Sequence, residues 1–540
     1  MKKIIRNIFH VLCLTTVFFS TACNDIFTEV TELNTDRLFR PIDFTYTLNK
    51  TNATLTWVAV AGAESYTLQV SEDSTFADTT KFVVNQTLEK TTFSQELAGA
   101  TDYYARVKAN AKAENASSKF NNKLTFRTPA ENIFTGYTSL MTALNTVTVK
   151  WTPGANVTQL KFTAADETST NYDVSADEKA AGQKVVAALS NSTYKVEIYN
   201  NTIKRGGLDI LVEGDVYLAA GQDLPTTIAA ATAGQVIVLE PGALYLMGSA
   251  TYRFDKNIKL RGLLPTNLPV LAMTSGTPTA TSSMLGFADG STIGYVKFQN
   301  IDFTGYCNND PAAIKVGYLF NNNLMTNVTT LSFDNCKLHN LGNTPLRVQG
   351  GKNQVIENLQ FKNCTIWDIG FSSTYAIVNS NSADLINNIS FDGCTIYNFK
   401  GSLVLRTGQT LKSISIKNCT INQGMQDASS SRYLIDANTA TFETGITIDK
   451  CIFGSSGGAL GANGVRNTTG SLTVTGSYYT TDYVDDPVNV VTSYSIKKYM
   501  TAYPEASTAL WNDPVNGNFT LKATSFAGKG TAGDLRMVLI

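Results

Sequence analysis

The sequence predicts an all-β protein: two β-sandwiches followed by a parallel β-helix with a short capping helix at its start. Three observations favour this fold class: a composition rich in uncharged polar residues, a strand pattern that occurs twice, and a six-residue phrase that recurs along the second half. The expected boundaries are 1–22 for a signal peptide, 23–40 for a tether, 41–129 and 130–214 for the sandwiches, 215–485 for the β-helix and 486–540 for a closing segment.

The composition excludes several classes of function. Charged residues make up only 16% of the 540 residues, and the formal net charge is −1, so the chain has no global field that would attract nucleic acid. The two histidines, His10 and His339, are too few for a histidine-rich metal site and argue against a histidine-based triad. We therefore expect no nucleic-acid partner and no metal.

The N-terminal segment resembles a bacterial lipoprotein signal. Basic residues Lys2, Lys3 and Arg6 precede a mostly apolar stretch at 8–19, and three small residues lead to Cys23. This segment is too short to span a bilayer comfortably. The resemblance implies that Cys23 is acylated and becomes the new N-terminus, which would anchor the protein in a membrane. The alternative is an ordinary cleavage site followed by an incidental cysteine.

The residues after Cys23 predict a location. Segment 24–29 is mildly acidic and resembles the surface-export signals of Bacteroidetes lipoproteins. That resemblance implies a lipid-anchored protein of the cell outer membrane that is exposed at the surface.

A pattern of alternating strands with one early Trp and one late Tyr occurs twice between residues 41 and 214. In both copies the Trp precedes the next marker by nine residues, and this arrangement fits a β-sandwich. The copies resemble fibronectin type III modules, which implies spacers that hold the next domain away from the membrane. We expect both Trp side chains in the core. The markers are Trp57, Tyr66 and Tyr103 in the first copy, and Trp151, Leu160 and Tyr194 in the second.

A second repeat predicts the β-helix. Each phrase has an aromatic or aliphatic residue at position 1, cysteine at position 4 and an aliphatic or aromatic residue at position 6, and the cysteines lie 25 to 32 residues apart. Such a period indicates one supersecondary unit stacked on the next. We expect about nine coils, with equivalent residues ~4.8 Å apart in ladders. The phrases begin at Phe333, Phe361, Phe391, Ile416 and Ile448, with divergent copies at Phe298 and Val474.

The centre of the phrase predicts a bend between two strands. Asn or Gly precedes most of the cysteines, and both residues tolerate the left-handed backbone of a tight bend. The cysteines recur at one phase, so we expect buried free thiols rather than disulfides or metal ligands. Cys307 falls outside this phase. The five recurring cysteines are Cys336, Cys364, Cys394, Cys419 and Cys451.

The two ends of the β-helix carry further resemblances. Residues 223–234 predict a short helix that has Pro225 in its first turn and ends at Gly234, followed by a buried strand. This segment resembles the capping helix of pectate-lyase-like β-helix proteins. Segments 511–521 and 533–536 resemble the closing segment of Bacteroidetes β-helix lipoproteins of uncharacterised function, although Leu535 and Met537 depart from that pattern.

One row of polar residues predicts a binding face. These residues follow apolar strand residues on consecutive coils and are expected to point outward, where they would bind sugar hydroxyls or carboxylates. The row contains one arginine, Arg406, and Arg347 and Arg432 lie near it. These three arginines are the candidates for catalysis. The alternative is an ordinary solvated face. The row is Gln349, Asn379, Arg406 and Asp436.

A second candidate is an aromatic ridge. His339, Trp367 and Tyr397 each lie three residues after a ladder cysteine, and outward rings can stack on sugars. The alternatives are that Trp367 and Tyr397 pack under a neighbouring loop and that His339 is a loop residue rather than a base.

Three functions remain open at this stage. The resemblance implies a surface lipoprotein that binds or handles polysaccharide, such as uronate-containing glycans, beside other outer-membrane glycan-uptake proteins. The second is a polysaccharide lyase, and the third is a structural or adhesive protein. No cofactor is expected, and Ca²⁺ is expected only for a lyase. If the protein is an enzyme, the absence of carboxylate pairs on the coils favours a lyase over a glycoside hydrolase.

Overall fold

The structure is a computed structural model of the chain. It describes residues 37–113, 116–135, 141–143, 145–276, 278–279, 281–313, 315–380, 383–406, 410–430, 432–438, 440–457, 462–467, 471–485 and 495–537. The predicted signal peptide and Cys23 lie outside the described residues. The described chain divides into two compact units, one with residues up to 133 together with 198–206, the other with 134–197 and 207 onwards.

The first sandwich has a three-stranded and a four-stranded antiparallel sheet. Its core contains Trp57, Tyr66 and Tyr103, as predicted, and the Trp57 and Tyr66 rings meet edge to face at 5.5 Å. The Tyr103 hydroxyl accepts a hydrogen bond from the Ala98 amide at 3.1 Å. The strands are Thr45–Asn49, Asn52–Thr56 and Thr92–Glu96 in one sheet, and Phe82–Leu88, Ser65–Ser71, Asp102–Asn110 and Leu124–Arg127 in the other.

The second set of antiparallel strands has the same division into four and three. Trp151 and Leu160 are buried at 1% and 0% exposure, which confirms Trp151 as a core residue. A helix at Ala176–Ala181 begins with a capping box between Ser175 and Glu178. The strands are Ser169–Asp173, Gln159–Thr163, Ser192–Asn200 and Ile203–Val212 in one sheet, and Gln183–Val186, Thr146–Lys150 and Met141–Ala143 in the other.

The parallel β-helix is built from three sheets, here called A, B and C. Sheets A and B have ten strands each, so the stack is slightly longer than the nine coils predicted. Sheet A consists of Val216–Leu218, Val236–Leu239, Ile258–Gly262, Thr292–Gln299, Asn327–Asp334, Val355–Lys362, Leu385–Asp392, Thr410–Lys417, Thr441–Asp449 and Leu472–Thr475.

Sheets B and C complete each coil, and every strand pair in them is parallel. Sheet B consists of Leu244–Leu246, Val270–Ala272, Asp302–Thr304, Lys337–Leu341, Thr365–Ile369, Thr395–Phe399, Thr420–Asn422, Ile452–Phe453, Tyr478–Tyr479 and Thr501–Ala502. Sheet C consists of Tyr252–Phe254, Ser283–Phe287, Tyr318–Asn322, Thr344–Val348, Val378–Ser380, Val404–Arg406, Arg432–Ala437 and Ala462–Asn467.

The repeated phrase forms the bend between sheets A and B, as predicted. The residue before each ladder cysteine has a positive φ, between 50° and 62°, which turns the chain from one strand to the next. Asparagine and glycine adopt this conformation at low cost, whereas other residues are strained in it. The bend residues are Asn335, Asn363, Gly393, Asn418 and Lys450.

Lys450 is the exception in this set, because it adopts φ 52° without being asparagine or glycine. We expect Lys450→Asn or Lys450→Gly to raise the free energy of unfolding by about 0.5–1 kcal/mol, because the strain at this bend is relieved. Urea unfolding followed by circular dichroism measures the change. The control is Lys417→Gly, which places glycine at the last residue of strand Thr410–Lys417 and should lower stability. An unchanged or lower stability for both Lys450 variants would contradict the strain argument.

The core of the β-helix consists of ladders of identical residues. The rings of Phe333, Phe361 and Phe391 stack nearly parallel at 5.1 and 4.9 Å. The five ladder cysteines and Cys307 are free and buried, which confirms the prediction of structural thiols. Burial raises the pKa of the Cys364 thiol, so it is held in its neutral form.

The outer edge of sheet A carries charges that alternate in sign from coil to coil. In-register pairing places each residue of this row beside one of opposite charge on the next coil. Neighbouring strands lie ~4.8 Å apart, so like charges are separated by about two coils. The row is Asp334, Lys362, Asp392, Lys417 and Asp449.

The predicted capping helix is present but shorter than expected. It covers Leu224–Ala230, with the Asp223 carboxylate accepting a hydrogen bond from the Thr226 amide at 2.6 Å, and it ends before Gly234. The next strand, Val236–Leu239, is fully buried. No helix among the described residues is long and apolar enough to cross a membrane.

After the last coil, short elements fold back onto sheet B. Helix Ser507–Leu510 leads into a two-stranded antiparallel ribbon formed by Trp511–Asp513 and Asn518–Leu521. Trp511 and Phe519 are buried in a small core of their own, so this segment is packed on the coils rather than extended from them.

Candidate functional site

The predicted residues lie on two different sheets of the β-helix. His339, Trp367 and Tyr397 lie in one row on sheet B, because His339 pairs with Trp367 and Trp367 pairs with Tyr397. The row that contains Arg347, Asn379 and Asp436 lies on sheet C. The two sets are therefore separate surfaces.

The three rings on sheet B form a continuous stack. His339 lies 4.2 Å from Trp367 with an interplanar angle of 7°, and Trp367 lies 6.0 Å from Tyr397 at 4°. Both faces of the Trp367 indole are therefore covered by its neighbours. The ladder presents ring edges, not ring faces, to anything that approaches the sheet.

The closing segment covers one end of this stack. Phe519 meets the Tyr397 ring edge to face at 5.4 Å, and the backbone at Gly517 lies against the Tyr397 hydroxyl. Burial raises the pKa of Tyr397 to about 12. The expectation that an aromatic residue packs under another segment therefore applies to Tyr397, although this residue, like His339 and Trp367, is partly exposed.

His339 lies in strand Lys337–Leu341, which corrects the expectation that it is a loop residue. Its Nε2 atom contacts the Asp302 carboxylate at 2.7 Å, and its Nδ1 atom contacts the Asn340 side-chain oxygen. Both ring nitrogens are thus engaged by oxygen atoms of the protein. This arrangement orients the ring and occupies both nitrogens with contacts inside the protein.

A polar ladder beside the rings was not predicted. Asn340, Asp368 and Asn398 follow the three aromatic residues directly, and all three have φ between 52° and 58°. The Asp368 carboxylate accepts from the side-chain amides of both Asn340, at 3.1 Å, and Asn398. The signal in the sequence is the Asn or Asp that follows each aromatic residue, since these residues tolerate a left-handed backbone.

A cavity of about 270 Å³ lies beside this ridge on sheet B. The Asp302 carboxylate is shared between His339 and the Lys337 ammonium, which lies 3.9 Å away and has a side chain 48% exposed. The far end is bounded by Arg536, whose guanidinium pairs with Asp534. The lining residues are Pro265, Thr266, Asn267, Leu268, Asp302, Asn335, Cys336, Lys337, Thr365 and Arg536.

On sheet C the expectation that Arg406 points outward is wrong. Arg406 is 0% exposed, and its Nη1 atom donates to the Ser380 hydroxyl at 2.8 Å and to the Asp384 carbonyl at 2.6 Å. The outward position on that strand belongs to Leu405, which pairs with Asn379 and Asp436. Burial lowers the pKa of Arg406 to about 10. A side chain enclosed in the core cannot act on a polymer.

The other predicted residues of sheet C differ in how they are partnered. Arg432 pairs with the buried Asp427, and Asp436 accepts two hydrogen bonds at 2.7 Å from Arg466. The Gln349 side chain donates to the Asn321 side-chain oxygen at 2.9 Å. Within the described ranges, no group of three or more His, Cys, Asp or Glu side chains is arranged to hold a metal ion.

One family model matches the chain. It is described as "Domain of unknown function (DUF5123)" and covers residues 414–536, which hold the last coils and the closing segment. No curated protein matches the chain.

Two solved structures are similar to the chain in part. The crystal structure of chicken CNTN1 FN1–FN3 domains has 15% identity and a TM-score of 0.15, with 33% of this chain and 65% of that chain covered. A two-domain fibronectin type III segment of chicken tenascin has 16% identity and a TM-score of 0.16, with 31% and 96% covered. The chain spans less than two thirds of the first structure. The class that the described strands define by themselves is antiparallel β-sandwiches followed along the chain by a parallel β-helix.

Proposed function

We propose that this protein binds a polysaccharide in the groove on the outward face of sheet B. The observation that carries the proposal is the cavity of about 270 Å³ beside the His339–Trp367 ridge. Ligand sites are typically concave and have a few convergent polar groups, and this cavity has that character.

The order of side chains in the groove suits a chain of hydroxyl groups. Asp302, Lys337 and Thr365 are paired in register on three consecutive coils, so they offer an acceptor, a donor and a hydroxyl at ~4.8 Å intervals. The edges of His339 and Trp367 form an apolar wall along the same coils. A ligand with alternating polar and apolar edges, as in a sugar chain, complements this arrangement.

Binding is favoured over lyase activity because most of the candidate basic side chains are buried or already partnered. Arg406 is buried, Arg432 is paired with Asp427, and both nitrogens of His339 are engaged. A lyase needs a basic side chain that reaches the proton to be removed. Of the three candidate arginines, Arg347 is the one that is neither enclosed in the core nor paired with a carboxylate.

We further propose that the lipoprotein signal places this function at the outer-membrane surface through Cys23, where glycan-uptake proteins would be its neighbours. The support is the sequence pattern at residues 2–23. Mass spectrometry of the membrane-extracted protein would show an acylated Cys23, and an unmodified N-terminus at that residue would contradict the anchor.

The test of binding is a screen of the purified protein against neutral and uronate-rich polysaccharides, with affinity and product formation measured together. We expect binding without turnover, and Lys337→Ala should weaken it about tenfold, which corresponds to ~1.4 kcal/mol. The matched control is Lys352→Ala, an exposed lysine in a turn outside this groove. Equal affinity of the Lys337 variant and the wild type would contradict the site, and an unsaturated product would favour the lyase.

A further inference from the structure

Arg347 on sheet C has unused hydrogen-bonding capacity. Its guanidinium carbon lies 4.2 Å from the centre of the Tyr375 ring, and its Nη1 atom donates to the Tyr318 hydroxyl at 3.4 Å. Its Nε atom is buried without a hydrogen-bond partner. No carboxylate of the described chain lies within ion-pair distance of this arginine, so its charge is not compensated by a direct partner.

The neighbouring arginines on this sheet behave differently. Arg466 makes a two-point contact with the Asp436 carboxylate, and Arg432 is paired with Asp427. Charged groups that are partly withdrawn from water are normally paired. Arg347 departs from that rule, whereas Arg432 and Arg466 follow it.

Asn379 pairs with Arg347 on the next coil. It is only 4% exposed, and its side chain makes no hydrogen bond within the described part of the chain. A donor pair of this kind, one charged and one neutral, would be satisfied by an external oxygen acceptor.

The loop that carries Thr374 and Tyr375 lies over Arg347. Thr374 accepts a hydrogen bond from Arg432 at 2.6 Å, and the Tyr375 ring lies 6.1 Å from the Tyr318 ring. Gly401 lies under the loop, where an added Cβ would be 2.2 Å from the Tyr375 carbonyl oxygen. The loop is therefore fixed in position by three separate contacts.

We propose that Arg347, Asn379 and the Tyr318 hydroxyl form a subsite for the carboxylate group of an acidic saccharide. The guanidinium supplies charge and donors suited to a planar carboxylate, and the amide and the phenol supply two further donors. The tyrosine rings give the sugar an apolar contact. The inference rests on the proposed function only in taking the ligand to be a saccharide, and it concerns a different face of the β-helix.

The experiment measures the binding of D-glucuronate, D-glucose, glucose 6-sulfate and acetate to the purified protein by isothermal titration calorimetry or ligand-observed NMR. We expect glucuronate to bind more tightly than the other three. Arg347→Met should weaken glucuronate binding about tenfold, and Arg347→Lys should restore only part of it, because lysine keeps the charge but not the fork. Asn379→Ala is a second variant that leaves the charge in place. Arg253→Met is the matched control, since Arg253 is exposed on the same sheet.

Each other outcome overturns a defined part of the proposal. Equal affinity for glucose and glucuronate would show that the site does not recognise the carboxylate. Equal affinity for acetate would show that it does not recognise the sugar. Tighter binding of glucose 6-sulfate would show that the preferred acidic group is a sulfate. Unchanged glucuronate affinity in folded Arg347→Met and Asn379→Ala variants would contradict the proposed subsite. Polysaccharide binding that is lost in Lys337→Ala but kept in Arg347→Met would support the sheet B groove independently.

Discussion

Asp534→Ala is expected to lower the free energy of unfolding of the β-helix by about 2 kcal/mol, because it leaves the partly buried Arg536 guanidinium without its carboxylate. The Asp534 side chain is 0% exposed and accepts hydrogen bonds from the Thr395 hydroxyl at 2.8 Å and from Arg536 through both carboxylate oxygens. Arg536 also donates to the carbonyls of Asn363 and Cys364. These contacts connect the closing segment to successive coils.

Calorimetric unfolding of the purified protein measures this change as a shift of the β-helix transition. The control is Asp102→Ala, which removes the partner of Arg127 from a pair whose side chains are 54% and 60% exposed. An exposed pair of this kind contributes about 0–1 kcal/mol. A loss for Asp534→Ala no larger than that of the control would show that the closing segment does not stabilise the coils.

Phe361→Ala is expected to cost about 3–5 kcal/mol, the range found for large aromatic side chains removed from a core. Phe361 is 1% exposed and lies between the rings of Phe333 and Phe391, at 5.1 and 4.9 Å. Since coils contact only their neighbours, the space left by the ring can be filled only by movement of two strands. The loss should therefore be close to the full transfer and cavity cost.

The matched control is Phe371→Ala, since Phe371 is 46% exposed in a loop. Its removal should change stability by less than about 0.5 kcal/mol. Urea unfolding of both variants, followed by circular dichroism, gives the two values. Similar values for the two phenylalanines would mean that the stack contributes no more than a surface contact.

Much of the fold could be predicted from local sequence patterns. The bend before each cysteine could be predicted from Asn335 and Gly393 because only a few residue types accept a left-handed backbone. The core ladders could be predicted because the phrase repeats with its apolar residues at fixed positions. The exact end of the capping helix could not, since Thr232 and Ala233 give no strong stop signal before Gly234.

The residues of the candidate site were harder to predict from the sequence than the fold, because which side chains point outward depends on strand register. Arg406 and Asp436 each follow an apolar residue and were predicted to point outward together. In the structure Asp436 is paired with Leu405, so the outward residue of the other strand is Leu405 and not Arg406. A shift of one residue moves a side chain to the other face of a sheet. Coils whose lengths vary between 25 and 32 residues do not define the alignment to one residue. The contact of Arg536 with Asn363 is beyond local patterns altogether, since 173 positions separate them.

The alternating charges along sheet A limit how such a protein can change in length. Asp334, Lys362, Asp392, Lys417 and Asp449 form a row in which each sign recurs only on every second coil. Deleting one interior coil of this stretch would bring two carboxylates or two ammonium groups together within about 5 Å, whereas deleting two adjacent coils would keep the alternation. Interior coils of this stretch should therefore be gained or lost in pairs. Evolutionary changes in its length are expected in steps of two coils, although one coil is the structural repeat.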